Sequence, residues 1–311
     1  MAPIIAVLWD DEVDGEGEKP FDDDNMDEGY RVFSEIAEER GASVLIGNFA
    51  WFDNGSVENP YVLRQGSWKK LDEGKDVDVI FDKFRFDDET VGIKRDMNDL
   101  LPVLNSFQLE EICKDKLLTA EKFQAVPETQ PATRENVSRM LEDYGRAVLK
   151  PRYDFGGRGI KIVKDIEEFE IGENLLVQRF IDSKSGIPDL DIDGVHDLRV
   201  IVVNGEPVTS FVRTPNQGLI SNVSRGGSMT YIEIEDVPES ALRIVDEVED
   251  VFRRFGSRVY AVDFIFDENG EPWILEMNSK PGLLFYDDES VRSWKEPLME
   301  KVVETLIDMS D

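Results

Sequence analysis

The stretch that most constrains this chain is a candidate β-hairpin near its C-terminal end, where Tyr260 to Phe266 turns at Asn269-Gly270 into Pro272 to Met277. Asn-Gly between two apolar runs is a strong hairpin signal, because both residues accept positive φ. Taken as a two-residue type I′ turn, it sets Glu268 opposite Glu271 and, counting back, Asp263 opposite Glu276. Asn278, two residues beyond Glu276, shares their face. Two carboxylates and an amide oxygen then lie together among Val262, Phe264, Ile265, Ile274, Leu275 and Met277. Like charges opposed in apolar strands repel and are costly to desolvate unless a cation sits between them. An all-oxygen donor set suits Mg²⁺, which takes one or two carboxylates, keeps waters and completes its shell with phosphates. The alternative is an acidic exposed face of an edge hairpin, and a three-residue turn would shift the register and separate the pair.

A metal-phosphate site also needs positive groups, and they are scarce: 35 Lys+Arg stand against 67 Asp+Glu, a formal net charge of -32 over 311 residues. Lys150 ends the apolar run Ala147-Val148-Leu149 and precedes Pro151 and the loop Asp154-Phe155-Gly156-Gly157-Arg158-Gly159. Small residues there let backbone N–H groups close over phosphate oxygens, although an ordinary flexible turn reads the same way. Lys116 stands near the start of a helix, where a solvated lysine is equally ordinary. Asp197 and Arg199 are two apart in a strand and share a face; a second Asn-Gly turn, Asn204-Gly205, sets them opposite Val212 and Ser210. Arg225 lies in the loop Asn222-Val223-Ser224-Arg225-Gly226-Gly227.

Composition removes several function classes. Nucleic acid and anionic membrane are poor partners for so acidic a surface. At 41% hydrophobic and 10% aromatic residues the chain is globular, so the acids coat a folded protein. Such a coat suits concentrated salt, which points to a halophilic origin. One cysteine, Cys113, excludes an intrachain disulfide and a Cys-rich zinc site, and the single His196 excludes multi-His metal sites. Cys113 reads as a small buried residue, and His196 as a structural or rim residue with a proton relay as the alternative. The start MAPIIAVLWDD turns acidic too early for a signal segment, and no apolar run of about 20 residues follows, so a cytoplasmic location is expected. Neither GxxxxGK[ST] nor GxGxxG occurs, so any nucleotide site uses other parts.

The organisation is that of several lobes. Pro3 to Trp9, Ser43 to Ile46 and Val77 to Phe81 read as strands and Asp27 to Arg40 as a helix stopped by Gly41, a small parallel α/β lobe over roughly residues 1 to 105. Asp10 and Asp11 end the first strand at the carboxyl edge, where α/β lobes place ligands and where acids also cap loops. Ser106 to Phe123 reads as one helix, and Ala147 to Lys150, Ile160 to Val163 and Leu175 to Phe180 as strands of a second lobe.

In this order the pieces resemble the ATP-grasp superfamily, most closely its RimK-like and glutathione-synthetase-like branch. The stretches that carry the resemblance are KDKLLTAEKF (114 to 123), VPET (126 to 129), AVLKPRYDFGGRGI (147 to 160), LLVQRFI (175 to 181), HDLRVIVVNGEPV (196 to 208), NVSRGG (222 to 227) and YAVDFIFDENGEPWILEMNSKPGL (260 to 283). The resemblance implies an α/β ATP-grasp fold of three lobes: a Rossmann-like N-terminal lobe (1–112), a small central lid lobe (113–182) and a C-terminal α+β lobe carrying the metal site (183–311). It implies that Lys116 and Lys150 reach ATP phosphates, that Gly156, Gly157 and Gly159 belong to the lid loop, and that Gln178, Arg179, Phe180 and Ile181 form the hinge that reads adenine through its backbone. Family members often carry Glu where this chain has Arg179. Asp197 resembles a nucleotide-contacting acid, Arg199 a cation near the transferred phosphoryl group, Asn222 part of the nucleotide site, and Asp263, Glu276 and Asn278 the ligands of Mg²⁺, with Mn²⁺ as an alternative. RimK-like members carry Arg-x-Asn where this chain has Ile220-Ser221-Asn222, which leaves that contact to Arg213 or Arg225.

The expected activity is ATP-dependent carboxylate-amine ligation through an acyl phosphate, with Arg225 holding the acyl phosphate or substrate carboxylate. The partners are small-molecule carboxylates and amines, with glutamate as a family-level choice, or a protein tail or carrier as acceptor. A glutathione-synthetase-like small-peptide ligase and a nucleotide-binding scaffold without turnover are the competing readings. Relatives form dimers or tetramers, and no residue pattern here selects between a homo-oligomer and a monomer.

Overall fold

The first strand, β1 (Ile4–Trp9), is wholly buried from Ile5 to Leu8, the pattern of a parallel strand covered on both faces. It belongs to a computed structural model that describes residues 2–154, 157–170, 172–192, 194–215, 228–282 and 291–311. The chain divides into two units, Met1–Gln108 with Phe255–Val259 and Lys280–Asp311, and Leu109–Arg254 with Tyr260–Ser279.

In the first unit, helix α1 (Asp24–Glu39) starts at Asp23, whose Oδ1 accepts from the Met26 N–H at 2.9 Å, and buries Tyr30, Phe33, Ile36 and Ala37 along one stripe. It leads to β2 (Ser43–Asn48), then to the short β3 (Phe52–Asp53) and β4 (Ser56–Val57), the hairpin β5 (Tyr61–Arg64) and β6 (Ser67–Lys70), β7 (Lys75–Asp76), β8 (Val79–Asp82), helix α2 (Val91–Leu100) and β9 (Val103–Leu104). Six strands form one sheet, ordered β6-β5-β2-β1-β8-β9, in which β2, β1, β8 and β9 are parallel and β5 and β6 extend it antiparallel. The parallel core matches the α/β reading, and the antiparallel extension adds to it.

β1 has β2 on one side and β8 on the other, so the carboxyl ends of β1 and β8 flank a topological switch point. At the end of β8, Asp82 is 3% exposed and bonds two lysines: Lys280 Nζ at 2.7 Å on Oδ1, and Lys94 Nζ on Oδ2. Both lysines also donate to the Phe84 carbonyl, and Lys94 Nζ lies 3.6 Å from the centre of the Phe84 ring. At the end of β1, Asp10 accepts from the Arg85 N–H at 3.1 Å, whereas Asp11 makes only an exposed ion pair with Arg85 at 3.6 Å.

The single helix expected over Ser106 to Phe123 is two, α3 (Phe107–Lys114) and α4 (Lys116–Lys122). Asp115 divides them because its carboxylate caps α4, accepting from the N–H groups of Leu117 and Leu118 at 3.0 and 3.3 Å. In the second unit follow β10 (Thr129–Pro131), α5 (Arg134–Tyr144), β11 (Ala147–Pro151), β12 (Lys161–Val163) and β13 (Leu175–Arg179), with sheet order β10-β13-β11-β12. One face of that sheet, Ala147, Leu149, Val163 and Val177, packs with Val137 and Met140 of α5.

The last sheet comprises β14 (Asp197–Val203), β15 (Glu206–Thr214), β16 (Ser228–Ile232), β17 (Val259–Phe266) and β18 (Pro272–Asn278), ordered β16-β15-β14-β17-β18, with α6 (Glu239–Phe252) between β16 and β17 in sequence. Helix α7 (Arg292–Met309) belongs to the first unit and contacts α1. No helix among the described residues is long and apolar enough to cross a membrane.

Candidate active site

The register of the β17-β18 hairpin decides the site. Asp263 does face Glu276, but not for the expected reason. The turn is three residues, Glu268 to Gly270, closed by Asp267 N–H to Glu271 O at 3.0 Å and Gly270 N–H to Asp267 O at 3.0 Å, with Gly270 at φ 78°. Asp267 stabilises it by accepting from Asn269 N–H and Glu271 N–H at 2.9 and 3.0 Å. That turn moves Phe264 opposite Ile274, and Leu275 then bulges out of the ladder and restores the pairing at Asp263. The bulge also lets two consecutive residues, Leu275 and Glu276, line the same cavity.

The β14-β15 hairpin also departs from the expected register. Val208 is left out of the β14-β15 ladder, so Asp197 faces Arg213 and Arg199 faces Phe211, not Val212 and Ser210. The shift brings Arg213 into the site. Its Nε donates to Asp197 Oδ1 at 2.6 Å and its Nη2 to Asp263 Oδ2 at 2.8 Å. Arg199 donates to both oxygens of Asp263 at 2.6 Å each. Burial pushes the Asp263 carboxyl up, and Arg199 and Arg213 more than offset it and hold it below the usual carboxylate range. Glu276 has no such pair: burial raises it, Lys116 opposes, and Asp263 adds to the rise.

Across the cavity, Val148 and Lys150 project from one face of β11, and Gln178 lies opposite Val148 on β13. Lys150 Nζ donates to Gln178 Oε1 at 3.0 Å, and Gln178 Nε2 donates to Thr129 Oγ1 at 2.7 Å. Burial, with Lys116 nearby, brings the Lys150 ammonium down to about 7. Lys116 is the first residue of α4, fixed where Asp115 meets Arg152 in a two-pronged pair at 2.6 and 2.5 Å. Its Nζ donates to the Asp154 carbonyl and stands 3.5 Å from Glu276 Oε1.

These groups border one cavity of about 330 Å³. Lys116, Lys150, Gly157, Gln178, Arg179, Phe180, Ile181, Asp197, Arg199, Asp263, Glu276 and Asn278 all line it; Gly159 does not, and with φ 68° it packs beside Pro151. Gly156, Asn222 and Arg225 lie outside the described residues. Sequence reasoning missed the apolar walls, Val148, Ile162, Ile265 and Leu275, and gave Arg213 only as an alternative. The alternation of β11 and β17 carried the signal for Val148 and Ile265; the bulge hid Leu275. Arg179, the last residue of β13, is held between the rings of Tyr144 and Trp273, 5.0 Å from each centre, and its N–H donates to the Glu128 carbonyl at 2.8 Å. His196 is buried with Nδ1 2.9 Å from the Gly194 carbonyl, and burial lowers its pKa.

The lining carries six lysines and arginines and five aspartates and glutamates, a local balance unlike that of the whole chain. Apolar walls, two lysines and two arginines beside opposed carboxylates can take an apolar-faced base attached to a polyphosphate.

Comparison with known proteins agrees. The family profile described as an ATP-grasp domain matches residues 113–282. A tetrahydromethanopterin:alpha-L-glutamate ligase from Methanocaldococcus jannaschii is 26% identical over 239 residues, 71% of this chain and 75% of that protein. Among solved structures, D-alanyl-alanine synthetase A from Vibrio cholerae superposes with a TM-score of 0.65 at 15% identity, covering 100% of this chain and 99% of the other. A RimK-domain ATP-grasp protein from Sphaerobacter thermophilus gives 0.62 at 16% identity, covering 97% and 98%.

Proposed function

Because this chain belongs to the ATP-grasp family of carboxylate-amine ligases, we propose that its cavity binds ATP and joins a substrate carboxylate to an amine. The observation that carries the reading is the convergence of Lys116, Lys150, Arg199 and Arg213 with Asp263 and Glu276 on one cavity in a chain of net charge -32. The substrate carboxylate oxygen attacks the γ-phosphorus and ADP leaves; the amine nitrogen then attacks the acyl carbon, forming the C–N bond as the C–O bond to phosphate breaks and the nitrogen's proton passes to the departing phosphate or solvent. No protein nucleophile is required, and Cys113, buried with its thiol pushed up, supplies none.

Lys116 and Lys150 hold phosphate oxygens, and Arg199 and Arg213 offset charge at the transferred group. Val148, Ile162, Ile265 and Leu275 enclose the base, whose edge meets the hinge backbone. The Arg179 N–H is already used on Glu128, so other hinge groups read the base.

ATP-grasp ligases use ATP with Mg²⁺. The residues here fit that ion: Asp263 and Glu276 are opposed and Asn278 follows on the same strand, an all-oxygen set. Among the described residues no group of three or more His, Cys, Asp or Glu gathers to hold a metal, so the shell would be completed by water and phosphate. When bound there, the ion neutralises phosphate charge.

The three-lobe division at residues 112 and 182, a cytoplasmic location and a halophilic origin belong to the same proposal. The similarity to a glutamate ligase favours an amino acid, glutamate first, as a substrate, with a small molecule or a protein tail as the other. The test is Mg²⁺-dependent ADP release that requires both an acid and an amine. Glu276→Gln is expected to abolish it, and full turnover in that variant removes the metal assignment. Incubation with labelled glutamate and cell extract, followed by sizing of the product, separates small from protein acceptors.

A further inference from the structure

Three hydrogen bonds converge on one carboxylate of this site. Asp263, 2% exposed, accepts Arg199 Nε on Oδ1, and Arg199 Nη2 and Arg213 Nη2 on Oδ2, all within 2.8 Å. A carboxylate offers about four lone-pair sites, so a metal ion arriving here finds one left and two guanidiniums beside it. The neighbourhood does not invite a cation either. Six lysines and arginines and five aspartates and glutamates line the cavity, so it holds no excess of acidic groups to draw a cation in. A polyphosphate changes both conditions: it adds negative charge, and its oxygens bind guanidinium in the same two-pronged way as a carboxylate.

We propose that Arg199 and Arg213 are placeholders for the metal at Asp263, so that nucleotide and metal load together. The guanidiniums leave Asp263 for phosphate oxygens when the nucleotide enters, and only then does Asp263 become a metal ligand. This rests on Asp263, Glu276 and Asn278 being the metal ligands. Its consequence has an unusual sign: removing an arginine tightens metal binding in the nucleotide-free protein. Arg199 supplies two of the three bonds and gives the larger effect. Arg213, shared with Asp197, gives a smaller effect in the same direction.

The probe is Mn²⁺, followed by the electron paramagnetic resonance of the free ion in titrations of the whole chain. Exposed acids elsewhere on so acidic a chain are expected to bind Mn²⁺ loosely, so the readout is the binding that Glu276→Gln removes. Without nucleotide, the wild-type titration is expected to overlay that of Glu276→Gln. Arg199→Gln is expected to gain a site at least about ten-fold tighter, a usual size for coupling between sites, which Glu276→Gln again removes. With a non-hydrolysable ATP analogue the wild type is expected to bind Mn²⁺ tightly, a comparison that needs no arginine variant. If the nucleotide-free wild type binds Mn²⁺ as tightly as Arg199→Gln, the placeholder role is overturned and the metal site stands. If the wild type binds none above Glu276→Gln even with the analogue, the metal site falls and takes the placeholders with it.

Discussion

Asp82 and Asp263 are built alike and sit in different units. Each is a buried aspartate flanked by two cations, and in each burial raises the carboxyl while the cations bring it below its usual value. The cations differ. Lys94 and Lys280 spend further donors on the Phe84 carbonyl and lie against its ring. Arg199 and Arg213 line a cavity and keep donors from their five-fold forks. A buried acid with two cations is therefore not by itself a site. What distinguishes the two clusters is whether the cations are tied to the protein by further bonds or face a cavity that an arriving group can enter.

The larger loss is expected at Asp82. Asp82→Asn leaves the buried Lys94 and the part-buried Lys280 without a carboxylate and is expected to cost about 3–5 kcal/mol in urea unfolding, the usual penalty for breaking a buried pair. A loss near zero would make the cluster as adaptable as the one at Asp263. Asp263→Asn is expected to cost less stability than Asp82→Asn, because Arg213 keeps Asp197 and both arginines border the cavity. ADP release should nonetheless fall at least about 100-fold, measured in a coupled assay.

Lys150 gives a smaller and pH-dependent effect. Its pKa falls from 10.5 to about 7, with burial as the first cause, so between those values the unfolded chain binds a proton that the native one does not. Stability contributed through this group rises with pH across that window, and the charged lysine is most costly below pH 7. Lys150→Met should therefore raise Tm at pH 6 and lose that advantage toward pH 10, while weakening ATP binding at pH 6. An advantage independent of pH would show that packing and not charge was relieved. The smallest effect concerns arrival: at net charge -32, raising KCl should speed ATP association a few-fold in stopped flow, because salt screens a field that repels anions.

Much of the second unit was legible because its chemistry lies on short ladders with marked turns. Lys150 was marked by its place at the end of an apolar run before a glycine-rich loop and Gln178 only by the family resemblance, while Asp263 opposite Glu276 followed from a register count whose two omissions, a third turn residue and a bulge, cancel. The same count failed at Asp197, where the bulge at Val208 has no compensating turn residue. Bulges leave little local signal, since Val208 and Leu275 are ordinary strand residues. The Asp82 cluster was not legible at all. Lys280 is 198 residues from its partner, and only the tertiary fold brings them together. Asp115 was readable in principle, being a standard cap residue, but unbroken apolar periodicity on either side hid it.

The bulge at Leu275 also bears on chain length. In most strands a one-residue deletion turns every following side chain to the other face. Here Leu275 pairs with nothing, so a chain lacking it would keep the three-residue turn, close the ladder without a bulge and still set Asp263 against Glu276. Only the apolar wall beside Glu276 would go. The hairpin therefore has a position where shortening the chain reshapes the cavity wall and spares the carboxylates.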